Sequence, residues 1–437
     1  MNDYRGEPAS LDAWLEYVTR LHWQTVGMGL ERMEEMVARL ELQRPARHVI
    51  TVAGTNGKGS TCHAVEQLLL GSGHTVGTTL SPHIDRFNER IRLHGQELSD
   101  AEICQAFAAV EAARGDLTLT YFEYSTIAAL WVFSQAKLDF AVLEIGLGGR
   151  LDAFNVIDAD TAIITTIGFD HQELLGDTLD AIGAEKAGIL RSGQKVTLGI
   201  DMPNSVVNRC ADLELVPSVF GRHMTVTEQP STQTWTYASS ERKIRSIPIG
   251  QCGPTNIALA FRAVGLTGAL DEIATEDQED LLREVSQRLT VDGRLQKFDW
   301  EGRTIICDVA HNPAGVSFLC DELELRGIDP DLVVCGMLTG KDHREVYKVV
   351  RARLGGQWAF MDTFGDRGMS ANDLDESVGL AASGVHETDS NKLVAQAGGL
   401  AGFLSSASKE GDVILVFGSF NAVEQSRMLM KKQTGTA

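Results

Sequence analysis

The strand-type run His48-Val49-Ile50-Thr51-Val52-Ala53 passes directly into the glycine-rich turn Gly54-Thr55-Asn56-Gly57-Lys58-Gly59-Ser60, and the residues that follow read as a helix to about Leu70. Strand, tight turn and helix in that order constrain this chain more than any other stretch of it. They define an α/β unit whose turn sits at the carboxyl end of a strand and at the positive end of a helix. Glycines let successive N–H groups aim inward and let an anion approach the backbone, and the helix terminus adds its dipole. The pattern predicts a phosphate cradle with Lys58 as its point charge and Ser60 as a hydroxyl near a metal. The competing reading is an ordinary glycine-rich strand-to-helix turn, because Gly59 separates Lys58 from Ser60 where the common phosphate loop has them adjacent.

Strands and helices alternate along the rest of the chain. Ser10 caps a first helix, with Leu11, Trp14, Leu15 and Val18 on one face, and Leu30, Met33, Val37 and Leu40 repeat the pattern in a second. Strands are expected at Thr75–Leu80, Asp139–Ile145, Thr161–Ile167 and Lys195–Gly199. Helices are expected from the capping box at Ser99 to Arg114, over Phe122–Gln135, and near Asp177–Leu190. Residues 220–250 read as a small antiparallel addition. A second alternation places strands at Thr304–Val309, Leu332–Cys335, Gln357–Asp362 and Val413–Gly418. The fold class is therefore α/β, with a phosphate-loop domain built on a mostly parallel sheet followed by a smaller Rossmann-like α/β domain. A length of 437 residues fits two domains, divided here as 1–290 and 291–437.

Charge and cysteine usage narrow the function. With 60 acidic against 39 basic residues and a formal net charge of -21, the chain repels nucleic acid and anionic membranes, whereas a small anion can still bind through local amides and a few fixed cations. Seven cysteines without C-x-x-C pairs give neither a disulfide framework nor a zinc signature. The start Met1-Asn2-Asp3-Tyr4-Arg5 lacks the layout of a signal peptide, and no apolar run nears the roughly 20 residues of a membrane span. A cytoplasmic location is expected.

Other residues with chemistry stand at strand ends and helix starts. Glu144 closes an apolar run; read alone, it is either a Mg²⁺ ligand at the carboxyl edge of the sheet or a solvated strand end. His171 follows another such run, where imidazole suits proton transfer or a structural role better than Mg²⁺. Lys186 reads as a helix lysine paired with nearby acids, and Phe122 as a core aromatic.

Several strings occur in order between about residues 27 and 420: GTNGKGS, Ser81-Pro82-His83, Tyr121-Phe122-Glu123-Tyr124, LEIGLGGRLDA from Leu143 to Ala153, Asp170-His171, Glu185-Lys186-Ala187-Gly188-Ile189, Asp308-Val309-Ala310-His311-Asn312-Pro313 and Gly418-Ser419. In them the chain resembles the folylpolyglutamate synthase/dihydrofolate synthase family of the Mur-ligase superfamily. The resemblance implies an ATP-dependent ligase that joins L-glutamate to dihydropteroate and to tetrahydrofolate chains through an acyl phosphate. Its partners are then dihydropteroate, folates and L-glutamate, and the chain a monomer. The implied ATP contacts are Asn56, Gly57, Lys58, Gly59, Ser60, Asn256, Arg294, Asp308 and His311. Ser81, Glu144 and His171 match Mg²⁺ ligands, and Lys186 matches a lysine that CO₂ converts to a carbamate, an oxygen ligand for a second metal. Lys58, His171 and Lys186 are the implied catalytic residues. Gly27, Met28, Gly29, Leu30, Thr120, Tyr121, Phe122, Glu123, Leu151, Asp152 and Ala153 match substrate-binding positions, Phe122 by stacking and Asp152 by pairing with an amino-pyrimidine edge. Ser419 matches a position that shapes the glutamate site, and the stretch Arg86 to Arg90 resembles a folate loop. Two other readings remain: another Mur-type amino-acid ligase, which needs an added N-terminal domain where only about 45 residues precede the first strand, and a P-loop ATPase acting as a switch, which leaves the Tyr121-Phe122-Glu123 and His311 strings unexplained.

Overall fold

Val49 to Ala53 are buried along their whole length, as an apolar run must be when a sheet is covered on both faces. In the computed structural model this run lies in β1 (Ala46–Ala53), the strand around which the first sheet is organised. The sheet adds β2 (Val76–Thr79), β3 (Ile91–Leu93), β4 (Gln96–Glu97), β5 (Leu138–Glu144), β6 (Thr161–Ile164), β7 (Lys195–Leu198) and β8 (Ser218–Val219), in the order β4-β3-β2-β5-β1-β6-β7-β8. β1 pairs in parallel with β5 on one side and β6 on the other, and β2, β7 and β8 extend the parallel run outward. β3 and β4 form an antiparallel hairpin on the β2 edge. Chain order thus reverses direction at β1, and in such sheets the crevice at the carboxyl ends beside the reversal is where ligands bind.

The structure describes residues 8–22, 29–379, 392–393 and 399–434. Gly27, Met28 and the stretch Met1 to Arg5 lie outside the described residues. Two units divide the chain: Met1–Thr227 with Thr236–Ile247 and Pro254–Val285, and Glu228–Trp235 with Pro248–Gly253 and Ser286–Ala437. Strands β9 (Met224–Gln229), β10 (Thr234–Ser239) and β11 (Lys243–Pro248) make a three-stranded sheet in the order β11-β10-β9. The second unit carries β12 (Gln296–Trp300), β13 (Arg303–Asp308), β14 (Leu332–Cys335), β15 (Gln357–Phe360), β16 (Lys392–Leu393) and β17 (Val413–Phe417), ordered β12-β13-β17-β14-β15-β16. All its pairings are parallel except β12 against β13. Among the described residues, no helix is long and apolar enough to cross a membrane.

Several local expectations shift by a residue or more. Ser10 does cap the first helix, accepting from the Ala13 N–H, and Leu11, Trp14 and Val18 are buried. The helix Glu31–Arg39 instead buries Met33 and Met36, leaving Leu30, Val37 and Leu40 at the margin. The phosphate-loop helix starts at Lys58, because Gly57 takes the left-handed conformation that ends the turn. β6 stops at Ile164 rather than Ile167, since Thr165 and Thr166 turn their hydrogen bonds toward the loop beside them. The strands β3, β4 and β8, of two or three residues each, are too short to leave a pattern in the sequence, and β12, whose five residues alternate, is a further strand not expected from it.

One ion cluster around a fully buried carboxylate ties the hairpin to the phosphate-loop helix. Glu66, on the helix Lys58–Gly71, accepts from Arg92 Nε at 3.2 Å and faces His63 Nδ1 at 3.8 Å. Burial alone would raise the Glu66 carboxyl, but the His63 and Arg92 hydrogen bonds and charges outweigh it and hold it at about 2. Because that value lies below the 4.5 of an unfolded chain, the stabilisation is fully present above pH 4.5 and is lost as pH falls toward 2. Glu66→Gln is expected to lower unfolding free energy at pH 7 by about 3 kcal/mol, since Arg92 is left without its counter-charge. In urea titrations the gap between wild type and variant should narrow steadily below pH 4.5.

Candidate active site at the carboxyl edge of the first sheet

The turn after β1 is held by the strand next to it. Thr55 N–H donates to Thr166 O at 2.8 Å, Asn56 N–H to Thr166 Oγ1 at 2.9 Å, and Thr165 Oγ1 to Asn56 O at 2.6 Å. Thr55 Oγ1 closes the set on Gly168 O at 3.1 Å. A turn pinned at both ends keeps its remaining N–H groups aimed outward without an ordering cost at the moment of binding. Gly57 sits at φ 82°, and a Cβ there would lie 2.5 Å from Asn256 Oδ1, so both conformation and space require glycine. That contact also places Asn256, at the start of the helix Pro254–Thr267, directly against the loop.

Two cations converge on one carbonyl. Lys58 Nζ donates to Gly54 O at 3.1 Å and to Thr55 O at 3.3 Å. Lys186, buried in the helix Leu179–Ala187, donates to the same Gly54 O at 2.9 Å. Burial, then repulsion from Lys58, pulls the Lys186 ammonium down to about 7. A large fraction of this lysine is therefore the neutral, nucleophilic amine near neutral pH. The expected solvated helix lysine is thus not what stands here.

Glu144 is the last residue of β5, in register with Val52 of β1, and is 4% exposed. Its Oε2 accepts the Ser81 N–H at 2.8 Å, and a Cβ on Gly59 would stand 3.6 Å from its Oε1. The carboxylate therefore lies beside the first turn of the phosphate-loop helix, next to the Ser81 backbone, and is no solvated strand end. His171 holds a left-handed backbone, φ 50°, with its ring nitrogens 3.9 Å from Asp170 and 3.8 Å from Glu173. Among the described residues, no three or more His, Cys, Asp or Glu side chains cluster as a metal cage. That donor set fits Mg²⁺, which takes one or two carboxylates and completes its shell with phosphate oxygens and water.

A second group of expected residues surrounds the end of the helix Tyr121–Ala136. Thr120 caps that helix, and Glu123 returns the bond to the Thr120 N–H at 2.8 Å. Glu123 is 2% exposed and takes three bonds from Arg32, from Nε at 3.0 and 3.2 Å and from Nη2 at 2.7 Å. Arg32 was missed by the sequence reading; nothing in its local pattern separates it from a surface arginine. The pair joins the stretch after Gly29 and Leu30 to the Thr120–Glu123 turn. Phe122 meets Phe154 edge to face at 5.8 Å, and its ring edge occupies the space a Cβ on Gly146 would need. Asp152 is buried; its Oδ2 accepts from the Gly146 and Leu147 N–H groups and its Oδ1 from Phe154 N–H. Burial raises its carboxyl to about 6 against these three donors. Leu151 and Ala153 flank it in the same turn.

In the second unit, Asp308 ends β13 and is buried, its oxygens accepting from Leu295 N–H at 3.0 Å and Ala310 N–H at 2.8 Å. Burial raises its carboxyl, with Arg294 and His311 acting in the opposite direction. Arg294 stacks 6.0 Å over Phe420, and His311 Nδ1 binds Val309 O at 2.8 Å. Ser419 is 2% exposed with its hydroxyl committed to Gly336 O and the Ala422 N–H, so it organises the turn after β17.

Comparison with known proteins agrees with this geometry. The Mur ligase middle domain matches residues 52–213, and the Mur ligase glutamate ligase domain matches residues 293–420. The Escherichia coli (strain K12) dihydrofolate synthase/folylpolyglutamate synthase is 37% identical over 415 residues, 94% of each chain. The solved E. coli FolC in complex with DHPP and ADP superposes with a TM-score of 0.86 at 34% identity, covering 98% of this chain and all of that one. A bifunctional folylpolyglutamate synthase/dihydrofolate synthase with Mn, AMPPNP and L-glutamate bound gives 0.83 at 35% identity, covering 96% of this chain and 98% of the other. A half-buried and a buried lysine on one loop carbonyl, a strand-end glutamate beside the loop and full-length similarity at this level lead to one conclusion: the chain belongs to the dihydrofolate synthase/folylpolyglutamate synthase family of Mur ligases, ATP-dependent enzymes that form an amide bond.

Proposed function

We propose that this chain joins L-glutamate to dihydropteroate, giving dihydrofolate, and extends tetrahydrofolate polyglutamate chains, in each case through an acyl phosphate. The observation that carries the reading is the meeting of Lys58 and Lys186 at Gly54 O beside the buried Glu144. Loop N–H groups from Gly57 to Ser60 and the Lys58 ammonium hold the β- and γ-phosphates, with Asn56 anchoring the loop beneath them. An oxygen of the acceptor carboxylate attacks the γ-phosphorus and ADP leaves; the amine of glutamate then attacks the acyl carbon, loses a proton, and inorganic phosphate leaves. Such transfers need placement and charge neutralisation far more than covalent help. Ser81, Glu144 and His171 would hold Mg²⁺, which supplies that neutralisation when bound.

Lys186 is proposed to carry the second part of the charge balance as a carbamate. Its neutral amine adds to CO₂, giving a carbamic acid that loses its proton, and a cation beside Lys58 becomes an anion. The gain is electrostatic, because a repulsive ammonium pair is replaced by an attractive one. The turn from Thr120 to Glu123, with Phe122, Leu151, Asp152, Ala153 and the segment of Gly29 and Leu30, is the proposed pterin side of the site. The nucleotide roles of Asn256, Arg294, Asp308 and His311, and a division near residue 290 between an ATP-binding and a glutamate-ligase domain, belong to the same proposal.

ADP release is expected with dihydropteroate and glutamate together and not with either alone; full-rate release without them would identify a plain ATPase. Lys58→Ala is expected to reduce turnover by a factor of about a thousand or more with the fold retained by circular dichroism, the scale seen when a fixed charge on a transferring phosphoryl group is lost. For Lys186, ¹³C-bicarbonate should give a carbamate resonance in wild type that Lys186→Ala lacks, and a short carboxylate added to the variant should restore part of its activity. An unlabelled lysine in an active wild-type enzyme would remove the carbamate.

A further inference from the structure

One guanidinium near this site feels the charges of Glu144 and Glu89 without forming a salt bridge to either. Arg90 closes the short helix Phe87–Arg90, and its guanidinium carbon lies 5.9 Å from the Phe87 ring centre and 5.5 Å from that of Tyr121. Its Nε donates to His83 Nδ1 at 2.7 Å, which places the imidazole proton on Nε2. Among the described residues, Nη1 and Nη2 of Arg90 have no hydrogen-bond partner, and no carboxylate stands within ion-pairing distance.

The loop around Arg90 is built so that its obvious partner is occupied elsewhere. Both oxygens of Glu89 are taken by backbone, the N–H groups of Ile84 at 2.7 Å, Asp85 at 2.7 Å and Arg86 at 2.9 Å. Asn88 Nδ2 donates to Leu98 O and Asp100 Oδ1, both at 2.8 Å, and anchors the short helix to the sheet edge. The Leu80 N–H donates to Arg90 O at 3.0 Å, so the arginine stands beside the residue that precedes Ser81, whose own N–H binds Glu144. Tyr121, the ring under the guanidinium, is the neighbour of Phe122. The two rings meet each other edge to face at 6.1 Å, and a guanidinium beside both, with one nitrogen fixed and two unpaired, presents a planar two-pronged donor that matches a carboxylate or phosphate. Leaving those donors permanently unpaired in a partly buried place is costly, and a ligand oxyanion removes that cost.

We propose that Arg90 binds the reacting carboxylate of the pteroate-type acceptor and that His83 is the positioning residue that sets the plane of its fork. The inference rests on the proposed ligase reaction, which supplies a carboxylate acceptor at this edge of the sheet. A γ-phosphate of the nucleotide shares the chemistry, and kinetics separate the two.

Wild type is assayed first for dihydropteroate-dependent ADP release; failure there would remove the ligase reading and with it the acceptor assigned to Arg90, whereas an active wild type with variants that keep its KM would remove the assignment of Arg90 alone. Arg90→Lys and Arg90→Gln are then expected to raise KM for dihydropteroate about tenfold or more, the scale of a lost charge-assisted hydrogen bond, with KM for ATP within about twofold of wild type. Guanidinium ion should restore part of the affinity to Arg90→Ala. His83→Gln, which keeps an acceptor for Nε, should stay near wild type, while His83→Leu should show the rise in KM for dihydropteroate. A rise in KM for ATP instead, a change confined to kcat, or unchanged kinetics with a lowered melting temperature would each overturn the proposal, the last by making Arg90 a clamp for the loop. If Arg90→Gln does not fold, Arg90→Lys and His83→Leu decide the matter by the same KM comparison.

Discussion

The carbonyl of Gly54 receives two lysine nitrogens, Lys58 from its own loop and Lys186 from a helix over a hundred residues later. Like charges held this close repel, and the fold relieves the repulsion through the carbonyl dipole, the acids nearby and the lowered proton affinity of Lys186. The arrangement is tolerable because it is local and because an anion is expected to enter it. Around it the rest of the first unit is organised: β1 delivers the loop, β5 brings Glu144 to its side, and the end of β6 pins it through Thr165 and Thr166.

This division of labour explains why the site lies on turns and yet is rigid. Each turn has its backbone donors assigned before any ligand arrives. Asp152 gathers three N–H groups in the turn after β5, Glu89 three in the turn after β2, and the Thr120–Glu123 box closes the next helix. Carboxylates used in this way stiffen loops that would otherwise have to be ordered on binding. They also show that a carboxylate in a motif can serve the backbone. Asp152 and Glu123 shape their turns whatever else they touch, and the Ser419 hydroxyl does the same after β17.

The acidic composition and the cation-centred site are compatible for the same reason. A net charge of -21 is a property of the whole surface, screened within about 10 Å at moderate salt, whereas two lysines on one carbonyl act at contact distance.

Much of the fold was legible because periodicity and caps are local. Ser10, Ser99 and Thr120 mark helix starts by side chains that bond three residues on, and the buried runs of β1, β5 and β14 announce a covered parallel sheet. The loop from Gly54 to Ser60 told the same story, since its glycines and lysine act within one turn. Arg32, the paired threonines after β6 and the burial of Lys186 were not legible, because each depends on a partner brought from 91 to 132 residues away. The sequence by itself determined the order of strands and helices, a phosphate-binding turn and the list of groups with suitable chemistry. Tertiary structure alone decided which of those groups meet at Gly54 O, because burial and close approach of charges exist only once the sheet has formed.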